Sequence, residues 1–175
     1  MKNLKFCVLT VLVVLFAVSG AFAAPFTSEK GGFSIELPKS WDPMPKEQLD
    51  AMAAGGTYLV AMDQAALQTG KMLSLTVLKV PSPDAALTTQ SITSFQADQM
   101  KAIPGVKDIK SELKNVGGTE WAALSYTLEA NGMTTAFVQY SAVKDGTLTS
   151  LLFSFDKPSG YESLIESTVA SYKAK

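Results

Sequence analysis

The 175-residue chain has the length of one domain and a formal net charge of −1. Every basic residue is Lys, because the sequence contains neither Arg nor His. The lack of Arg argues against bidentate clamps for phosphate or carboxylate, and the lack of His argues against most triad, general-base and zinc sites. The slightly acidic balance also argues against nucleic acid as a partner.

Residues 1–23 are predicted to be a signal peptide. Two lysines precede Phe6 to Val18, an uncharged apolar run, and Ala21-Phe22-Ala23 offers small residues at both positions that a signal peptidase reads. A retained membrane anchor is the alternative, but an apolar run of about 13 residues is short for a bilayer. We therefore expect export to the periplasm or the medium, with no membrane span after cleavage.

The mature chain is predicted to be a single domain without disulfides. Cys7 lies inside the apolar run, so the chain that remains after cleavage contains no cysteine. Its stability is then expected to come from a packed core, although an exported protein is free to form disulfides. We expect residues 24–30 to be a short flexible lead and residues 31–175 to form the domain.

The first half of the mature chain alternates predicted strands and helices. Phe33, Ile35 and Leu37 alternate with polar residues and indicate a first strand, which Pro38 ends. The expected elements that follow are a proline-containing turn at 39–45, a short helix at 46–54, and strands at 58–62 and 72–80 joined by a loop through Gly70.

A long helix and a strand are predicted next. Pro83 and Asp84 favour a helix start, and the helix is expected to carry an apolar stripe and to stop before Pro104. The stripe consists of Leu87, Ile92, Phe95, Gln99 and Ile103. Residues 106–116 are expected to form a strand, and Gly117-Gly118 to end it.

The clearest pattern is a three-stranded meander from Thr119 to Phe155. Asn131-Gly132 and Asp145-Gly146 separate three alternating runs, and such pairs supply the two positive φ angles of a type I′ turn. A last helix is predicted from an S-x-x-E capping box, Ser159 to Glu162, with Tyr161, Leu164, Ile165, Thr168, Val169 and Tyr172 as its stripe.

The register of the meander predicts a layered fold. With two-residue turns, one face carries Leu124, Tyr126, Leu128, Met133, Phe137, Leu148 and Leu152. The other carries Trp121, Ala123, Ala136, Val138, Tyr140, Leu151, Phe153 and Phe155. Both faces are apolar and need a cover. We therefore predict an α+β fold: an antiparallel sheet of about six to seven strands with helices on both faces, the last helix on the Phe153–Phe155 face.

Three short segments resemble the PsbP-like (Mog1/PsbP) family. They are Gly-Phe-Ser-Ile-Glu-Leu-Pro-Lys-Ser-Trp41, the start of the meander from Gly117 to Tyr126, and Ser-Thr-Val-Ala-Ser-Tyr172. The resemblance runs from about Gly31 to Lys173 and implies an α/β/α sandwich. It also implies an accessory role, since the family includes an extrinsic photosystem II subunit, a Ran partner and exported bacterial proteins of unknown function. It implies no catalytic residues, and nothing here indicates the photosystem branch.

Two sequence patterns could indicate a catalytic or metal-binding site, but each also has a purely structural explanation. Ser111-Glu-Leu-Lys114 matches the S-x-x-K pattern of penicillin-recognising enzymes, but on a strand these side chains point to opposite faces. Asp42, Glu47 and Asp50 supply oxygen ligands suited to a hard cation such as Ca²⁺, without any EF-hand spacing.

Two further sets of residues, four methionines and four lysines, are better explained by core packing and solvent exposure than by ligand binding. Met44, Met52, Met62 and Met72 suit Cu(I), yet dispersed methionines usually fill cores. The lysines at 101, 107, 110 and 114 are interrupted by acids and fit a solvated strand face. We expect no catalytic residue, metal or cofactor.

The function expected from the sequence is binding rather than catalysis. Trp41, Asp42 and Trp121 are the candidate partner-binding residues, because a partly exposed Trp often anchors a partner, with core packing as the alternative for both indoles. The leading hypothesis is an exported, non-enzymatic domain that binds a protein or envelope partner through loops or a groove beside a helix. The alternative is a small apolar-ligand carrier with an enclosed pocket between helix and sheet.

Overall fold

The structure is a computed structural model that describes residues 25–156 and 160–175. The predicted signal peptide, including Cys7, and the predicted capping residue Ser159 lie outside the described residues. The strands are β1 (Phe26–Ser28), β2 (Phe33–Ile35), β3 (Trp41–Pro43), β4 (Thr57–Asp63), β5 (Leu73–Pro81), β6 (Val106–Val116), β7 (Thr119–Ala130), β8 (Met133–Lys144), β9 (Thr147–Asp156) and β10 (Lys173–Ala174). The helices are α1 (Lys46–Met52), α2 (Gln64–Gln68), α3 (Thr89–Lys101) and α4 (Glu162–Ala170).

Seven strands form the main sheet, in the order β3-β4-β5-β9-β8-β7-β6. Every neighbouring pair in this sheet is antiparallel. A second, small sheet has the order β1-β2-β10 and is also antiparallel. The α+β class and the count of six to seven strands are therefore confirmed for the main sheet.

Both predicted turns of the meander are confirmed. Asn131 and Gly132 have φ angles of 53° and 76°, and Asp145 and Gly146 have φ angles of 51° and 71°. Two successive positive φ angles define the type I′ turn, whose twist matches that of the strands it joins. The turns bring Ala130 opposite Met133 and Lys144 opposite Thr147.

The observed register divides the side chains as predicted. On one face, which we call the α4 face, Ala123 lies opposite Tyr140 and Tyr140 lies opposite Leu151. On the other, which we call the α3 face, Leu124 lies opposite Gln139 and Gln139 lies opposite Leu152. Because side chains alternate along a strand, this pairing fixes the face of each residue in the meander.

Helices cover both faces, so the α/β/α arrangement is confirmed. On the α4 face, Ile165 and Val169 of α4 belong to the same buried cluster as Trp121, Tyr140 and Phe153. Tyr161, just before α4, contacts Phe155 edge to face, with ring centroids 5.7 Å apart. The C-terminal helix thus lies on the Phe153–Phe155 face, as the sequence predicts.

Helix α3 contacts the opposite face largely through polar groups. Ile92 is its buried residue, while Gln96 donates to the buried Ser141 hydroxyl at 3.1 Å. The Ser111 hydroxyl of β6 donates to the Thr93 carbonyl at 2.6 Å. Phe95 is 55% exposed, so the predicted apolar stripe of this helix is only partly buried.

The start of α3 is five residues later than Asp84 suggests. Thr88 and Ser91 form a capping box, in which the Thr88 hydroxyl accepts from the Ser91 N–H at 3.1 Å. The Asp84 carboxylate instead accepts from the Ala86 N–H at 2.8 Å, which stabilises a turn before the helix.

Four short elements were not expected from the sequence. Strand β1 lies within the predicted flexible lead, β3 within the predicted proline turn, and β10 beyond the last helix. Helix α2 begins in the predicted loop, where the Asp63 carboxylate caps it by accepting from the N–H groups of Ala65 and Ala66. Pro43 is tolerated in β3 because this strand lies at the edge of the sheet.

A chain of aromatic rings joins the small sheet to the main one. Phe33 of β2 stacks on Tyr172 at a centroid distance of 5.5 Å, and Tyr172 meets Trp121 of β7 at 5.7 Å and 79°. Trp41 of β3 packs against Phe153 at 6.4 Å. Large buried rings of this kind contribute both apolar area and a preferred edge-to-face geometry.

The turn between β6 and β7 allows a matched test of backbone packing against α4. Gly117 and Gly118 both have positive φ, but a Cβ on Gly117 would lie 2.5 Å from the Ala170 carbonyl oxygen, whereas one on Gly118 meets nothing within 4 Å. Gly118→Ala should lower the free energy of unfolding by about 1–2 kcal/mol through the positive φ. Gly117→Ala should lower the free energy of unfolding by about 1–3 kcal/mol more than Gly118→Ala does, because the turn and α4 must separate. Urea unfolding of the purified variants measures both values, and equal losses would contradict this packing.

Fluorescence tests the burial of the two tryptophans, which are 3% and 1% exposed at Trp41 and Trp121. Both Trp41→Phe and Trp121→Phe variants should show blue-shifted native emission that acrylamide quenches weakly. Urea should shift the emission to the red and raise the quenching to that of free tryptophan. Strong quenching of either native variant would show that the remaining indole is accessible.

Candidate functional site

A groove of ≈ 640 Å³ lies on the α4 face between α4 and strands β6, β7 and β8. We call it the α4 groove. Its floor includes Ala123, Ser125, Thr127, Ala136 and Val138, and one wall is formed by α4 through Glu162, Ile165 and Glu166. The opposite wall is the edge strand β6, which contributes Asp108, Lys110, Glu112 and Lys114.

The groove exists because the floor side chains are small. The other half of the α4 face carries residues such as Leu75, Leu151 and Phe153, all fully buried. Beside β6, Ala123, Ser125 and Thr127 succeed one another on β7, and Ala136 lies opposite Thr127. Residues of this size leave a depression that α4 does not fill.

The two walls meet at one end of the groove and diverge toward the other. Gly117 lies against Ala170 at the end of α4, and the Lys114 ammonium contacts the Glu166 carboxylate at 3.0 Å. A strand rises about 3.4 Å per residue and a helix about 1.5 Å. Strand β6 therefore extends beyond the beginning of α4, and the groove is open at the Asp108 end.

Lys114 is the central charge of the closed end. Its ammonium lies 3.0 Å from Glu166 and 3.4 Å from Glu112. The hydrogen bond to Glu166 raises the pKa of Lys114, against the opposing effect of partial burial. Burial raises the pKa of Tyr140, which lines the same end. At neutral pH Lys114 is thus a protonated ion-pair partner and a poor nucleophile or base.

A strained residue marks the open end. The register of β6 against β7 shifts between Lys107 and Lys110, and within this bulge Asp108 has a φ of 55°. The Asp108 carboxylate accepts a hydrogen bond from the Thr127 hydroxyl at 3.1 Å. The bulge therefore turns a carboxylate over the floor of the groove, an effect that bulges often have beside binding sites.

The structure separates Ser111 from Lys114, as expected for a strand. The Ser111 hydroxyl donates to Thr93 on the α3 face, whereas Lys114 pairs with Glu166 on the α4 face. The two side chains lie on opposite sides of the sheet. The S-x-x-K pattern therefore does not form a serine–lysine pair.

The candidate partner-binding residues are not brought together at the surface. Trp41 and Trp121 are buried, so neither indole presents a face to solvent, and core packing describes both. Asp42 is exposed in β3, opposite Met62, and lines neither groove. Anchoring of a partner by either tryptophan is therefore not supported by this packing.

A second groove, of ≈ 610 Å³, lies between β1 and the segment from β3 through α1. Phe26, Pro43, Leu49 and Tyr58 contribute apolar walls, and Lys30, Lys46 and Asp50 line the groove as well. The Asp50 carboxylate pairs with Lys30 at 2.9 Å and Lys46 at 2.7 Å. The hydrogen bond from Lys46 has the largest effect on the pKa of Asp50 and that from Lys30 the next largest, and both lower it.

The remaining candidates are distributed over separate elements. Within residues 25–156 and 160–175, no group of three or more carboxylate or thiol ligands is arranged to hold a metal ion. Of the four lysines at 101–114, Lys101 pairs with Asp98 and Lys107 with Glu129. Lys110 and Lys114 instead line the α4 groove.

The described part of the chain contains no helix with the length and apolarity needed to cross a membrane.

Comparison with known proteins gives structural relatives only. No family model matches the sequence, and no curated protein matches it. The solution structure of cyanobacterial PsbP (CyanoP) from Synechocystis sp. PCC 6803 superimposes with a TM-score of 0.59 at 15% identity, covering 89% of this chain and 94% of that one. LpqN, described as involved in cell envelope biogenesis of Mycobacterium tuberculosis, gives 0.56 at 13% identity and 85% coverage of each chain.

A crystal structure from Bacteroides thetaiotaomicron VPI-5482 also superimposes, with a TM-score of 0.59 at 12% identity over 86% of this chain. This chain spans about half, 48%, of the length of that protein. At such identities the likeness concerns the fold alone. Together with the sheet order and the two helical layers, it shows that the chain has the PsbP-like (Mog1/PsbP) α/β/α fold.

Proposed function

We propose that the chain is an exported, non-enzymatic accessory domain that binds a protein or cell-envelope partner in the α4 groove. The observation that carries the proposal is the groove itself: a depression of ≈ 640 Å³ on the sheet, open at one end and bounded on both sides by charged side chains. A surface of this form suits a segment of a larger molecule that enters from the open end.

The character of the groove favours a macromolecular partner over a small apolar ligand. Pockets for apolar ligands are largely enclosed and lined by apolar side chains, with few polar groups. Here Ser125 and Thr127 place hydroxyls on the floor, the α4 wall carries carboxylates, and the β6 wall carries both carboxylates and ammonium groups. Desolvating these groups under an apolar ligand would cost free energy that no hydrogen bond returns.

Two further observations support a non-catalytic role. Lys114 is held as a cation, and Ser111 lies on the other face of the sheet, so the serine–lysine pair of the S-x-x-K pattern does not form. Among proteins with this fold, CyanoP is a PsbP and LpqN is described as involved in envelope biogenesis. We propose by analogy that this chain acts at the cell envelope.

The second groove favours the alternative function, a small apolar-ligand carrier. Phe26, Leu49, Tyr58 and two prolines give it a mainly apolar lining. Native mass spectrometry of the protein purified from its source cells distinguishes the two functions. A stoichiometric small apolar ligand, lost in a Leu49→Ala variant, would support the carrier and contradict the partner-binding proposal.

Site-specific photo-crosslinking in intact cells tests the proposal. A benzophenone amino acid placed at Lys110, on the groove wall, should yield a discrete high-mass adduct. The same amino acid at Lys71, an exposed residue outside both grooves, should yield none.

A floor variant shows whether the adduct depends on the groove. Ser125→Leu in the Lys110 background fills the depression and should reduce the adduct by at least about fivefold, because a well-placed obstruction costs about 1–3 kcal/mol. Thr135→Leu is the control, since this residue is also half-buried but lies on the α3 face. Equal adducts at Lys110 and Lys71, or no effect of Ser125→Leu, would overturn the assignment of the groove.

A further inference from the structure

We infer that two copies of this chain form a weak dimer through the part of the α3 face that α3 leaves uncovered. We call this surface the open half. It lies on β4, β5 and β9 and includes Val60, Met62, Thr76, Leu78, Leu148 and Leu152. The inference goes beyond the proposed function, because the α4 groove lies on the opposite face of the sheet.

Helix α3 lies over one side of the main sheet. Its main contacts with the sheet are on β6, β7 and β8. At the β8 boundary, the Thr89 hydroxyl accepts from the Val143 N–H at 3.1 Å. Strands β9, β5 and β4 continue the sheet beyond this boundary, and the named residues of the open half are all only half-buried. A contiguous patch of partly exposed aliphatic side chains is typical of a protein-binding surface.

Phe95 lies at the border of the open half. Thr93 bonds to a residue of β6, and Gln96 bonds to a residue of β8. Because side chains advance by about 100° per residue, the turn around α3 from Thr93 to Gln96 is about 60° and leads from β6 toward β8. A further turn of about 100° in the same direction reaches Phe95, which therefore lies on the flank of α3 that faces β9. The ring is 55% exposed, and aromatic side chains are enriched in interfaces.

The open half is depleted in charge, as the centre of an interface is. Among the described residues of β4, β5 and β9, Asp156 is the only charged one on this face, and it lies at the end of β9. Its carboxylate accepts from the Met72 N–H at 2.8 Å. Two copies can therefore meet over the rest of the surface without the cost of opposing like charges.

The polar groups of the open half are already paired within the sheet. The hydroxyls of Ser74 and Ser154 lie 2.7 Å apart and form a hydrogen bond between β5 and β9. The Ser150 hydroxyl is bonded to that of Ser141 at 2.9 Å. Covering a polar group is costly when it loses its hydrogen bonds to water without replacement. These hydroxyls keep their partners when a second surface covers them.

The shape and size of the open half favour a second copy as its occupant. A two-fold dimer brings the same patch of both subunits together, and pleated sheets pack face to face in this way. Nine residue pairs join β5 to β9. At about 3.4 Å per residue and about 4.8 Å per strand, three strands of this length cover about 400 Å² on each copy. The two copies together fall below the usual size of a stable interface, so the dimer should depend on concentration.

Sedimentation velocity of the protein purified from its source cells tests this inference. The weight-average mass should rise from that of one chain toward that of two between about 5 and 500 μM, a range suited to an interface below the standard size. A mass of one chain over the whole range would overturn the inference.

A matched pair of threonine variants locates the dimer contact. Thr76 lies at the centre of the open half, opposite Val60 and Leu152. Thr76→Lys should raise the dissociation constant of the dimer by at least about tenfold, because it brings like charges together. In the single chain, the lysine stem can lie along the sheet with its ammonium in water. Thr134→Lys makes the same exchange at a half-buried position on the α4 face outside both grooves, and should leave the dissociation constant unchanged.

A second pair of variants keeps the test decisive if Thr76→Lys disturbs folding, which urea unfolding would show. Phe95→Ala suits a helix and should raise the dissociation constant by at least about fivefold, the effect of losing an interface aromatic. Leu67→Ala removes an apolar side chain that is 40% exposed on α2 and should have no effect. Equal effects within either pair would place the contact elsewhere and overturn the inference. The proposed function is tested separately, by the cellular adduct at Lys110.

Discussion

The register of the three central strands is the constraint on which the rest of the structure depends. Two type I′ turns fix it, because a loop of two residues allows one alignment of the strands it joins. A slip by one residue would exchange the faces of every side chain in the meander. The observed register puts the large Trp121, Tyr140, Leu151 and Phe153 on the α4 face together with the small Ala123, Ser125 and Thr127 of β7. The large residues pack in the buried core with α4, and the small ones form part of the floor of the groove.

The two helical layers are held by different interactions. On the α4 face, apolar and aromatic groups dominate. The ring contacts from Trp121 through Tyr172 to Phe33 attach the small sheet to the main one. On the α3 face, Ser141 accepts from the amides of Gln96 and Gln139 at 3.1 and 2.9 Å. The Ser141 and Ser150 hydroxyls lie 2.9 Å apart and form a further hydrogen bond. Directional bonds therefore position α3, and its apolar Phe95 remains outside.

Much of the fold could be predicted because its signals are local. Asn131-Gly132 and Asp145-Gly146 specify turns by their own φ preferences. Residues 106–116 are predicted to be a strand because Gly105 precedes them and Gly117-Gly118 follow them. Strands β1 and β10 could not be predicted, because two or three residues form a strand only when a distant partner supplies the hydrogen bonds. The start of α3 was missed because Asp84 and Thr88 are both good capping residues, and tertiary packing decides between them.

The groove illustrates a different limit. Its floor was visible as Ala123, Ala136 and Val138 on one predicted face, but the sequence predicts only that this apolar face needs a cover. Only the lateral position of α4 reveals which half of the face is covered, and that position depends on contacts between residues far apart in sequence. The alternation of Ala123, Ser125 and Thr127 on one strand was the available signal, since small residues in succession leave space under any covering helix.

The ion pair at the closed end explains how such a groove can accept a partner. Lys114 and Glu166 are 35% and 50% exposed, so their attraction is screened and contributes about 0–1 kcal/mol. The neighbouring contact of Gly117 with Ala170 involves backbone atoms and is far less adaptable. The walls are therefore fixed where the turn meets α4 and held only weakly one turn earlier. Separating Lys114 from Glu166 therefore costs little, since Lys114 keeps its contact with Glu112. Opening of this ion pair, rather than movement of the helix, is thus the less costly way to widen the closed end for a partner.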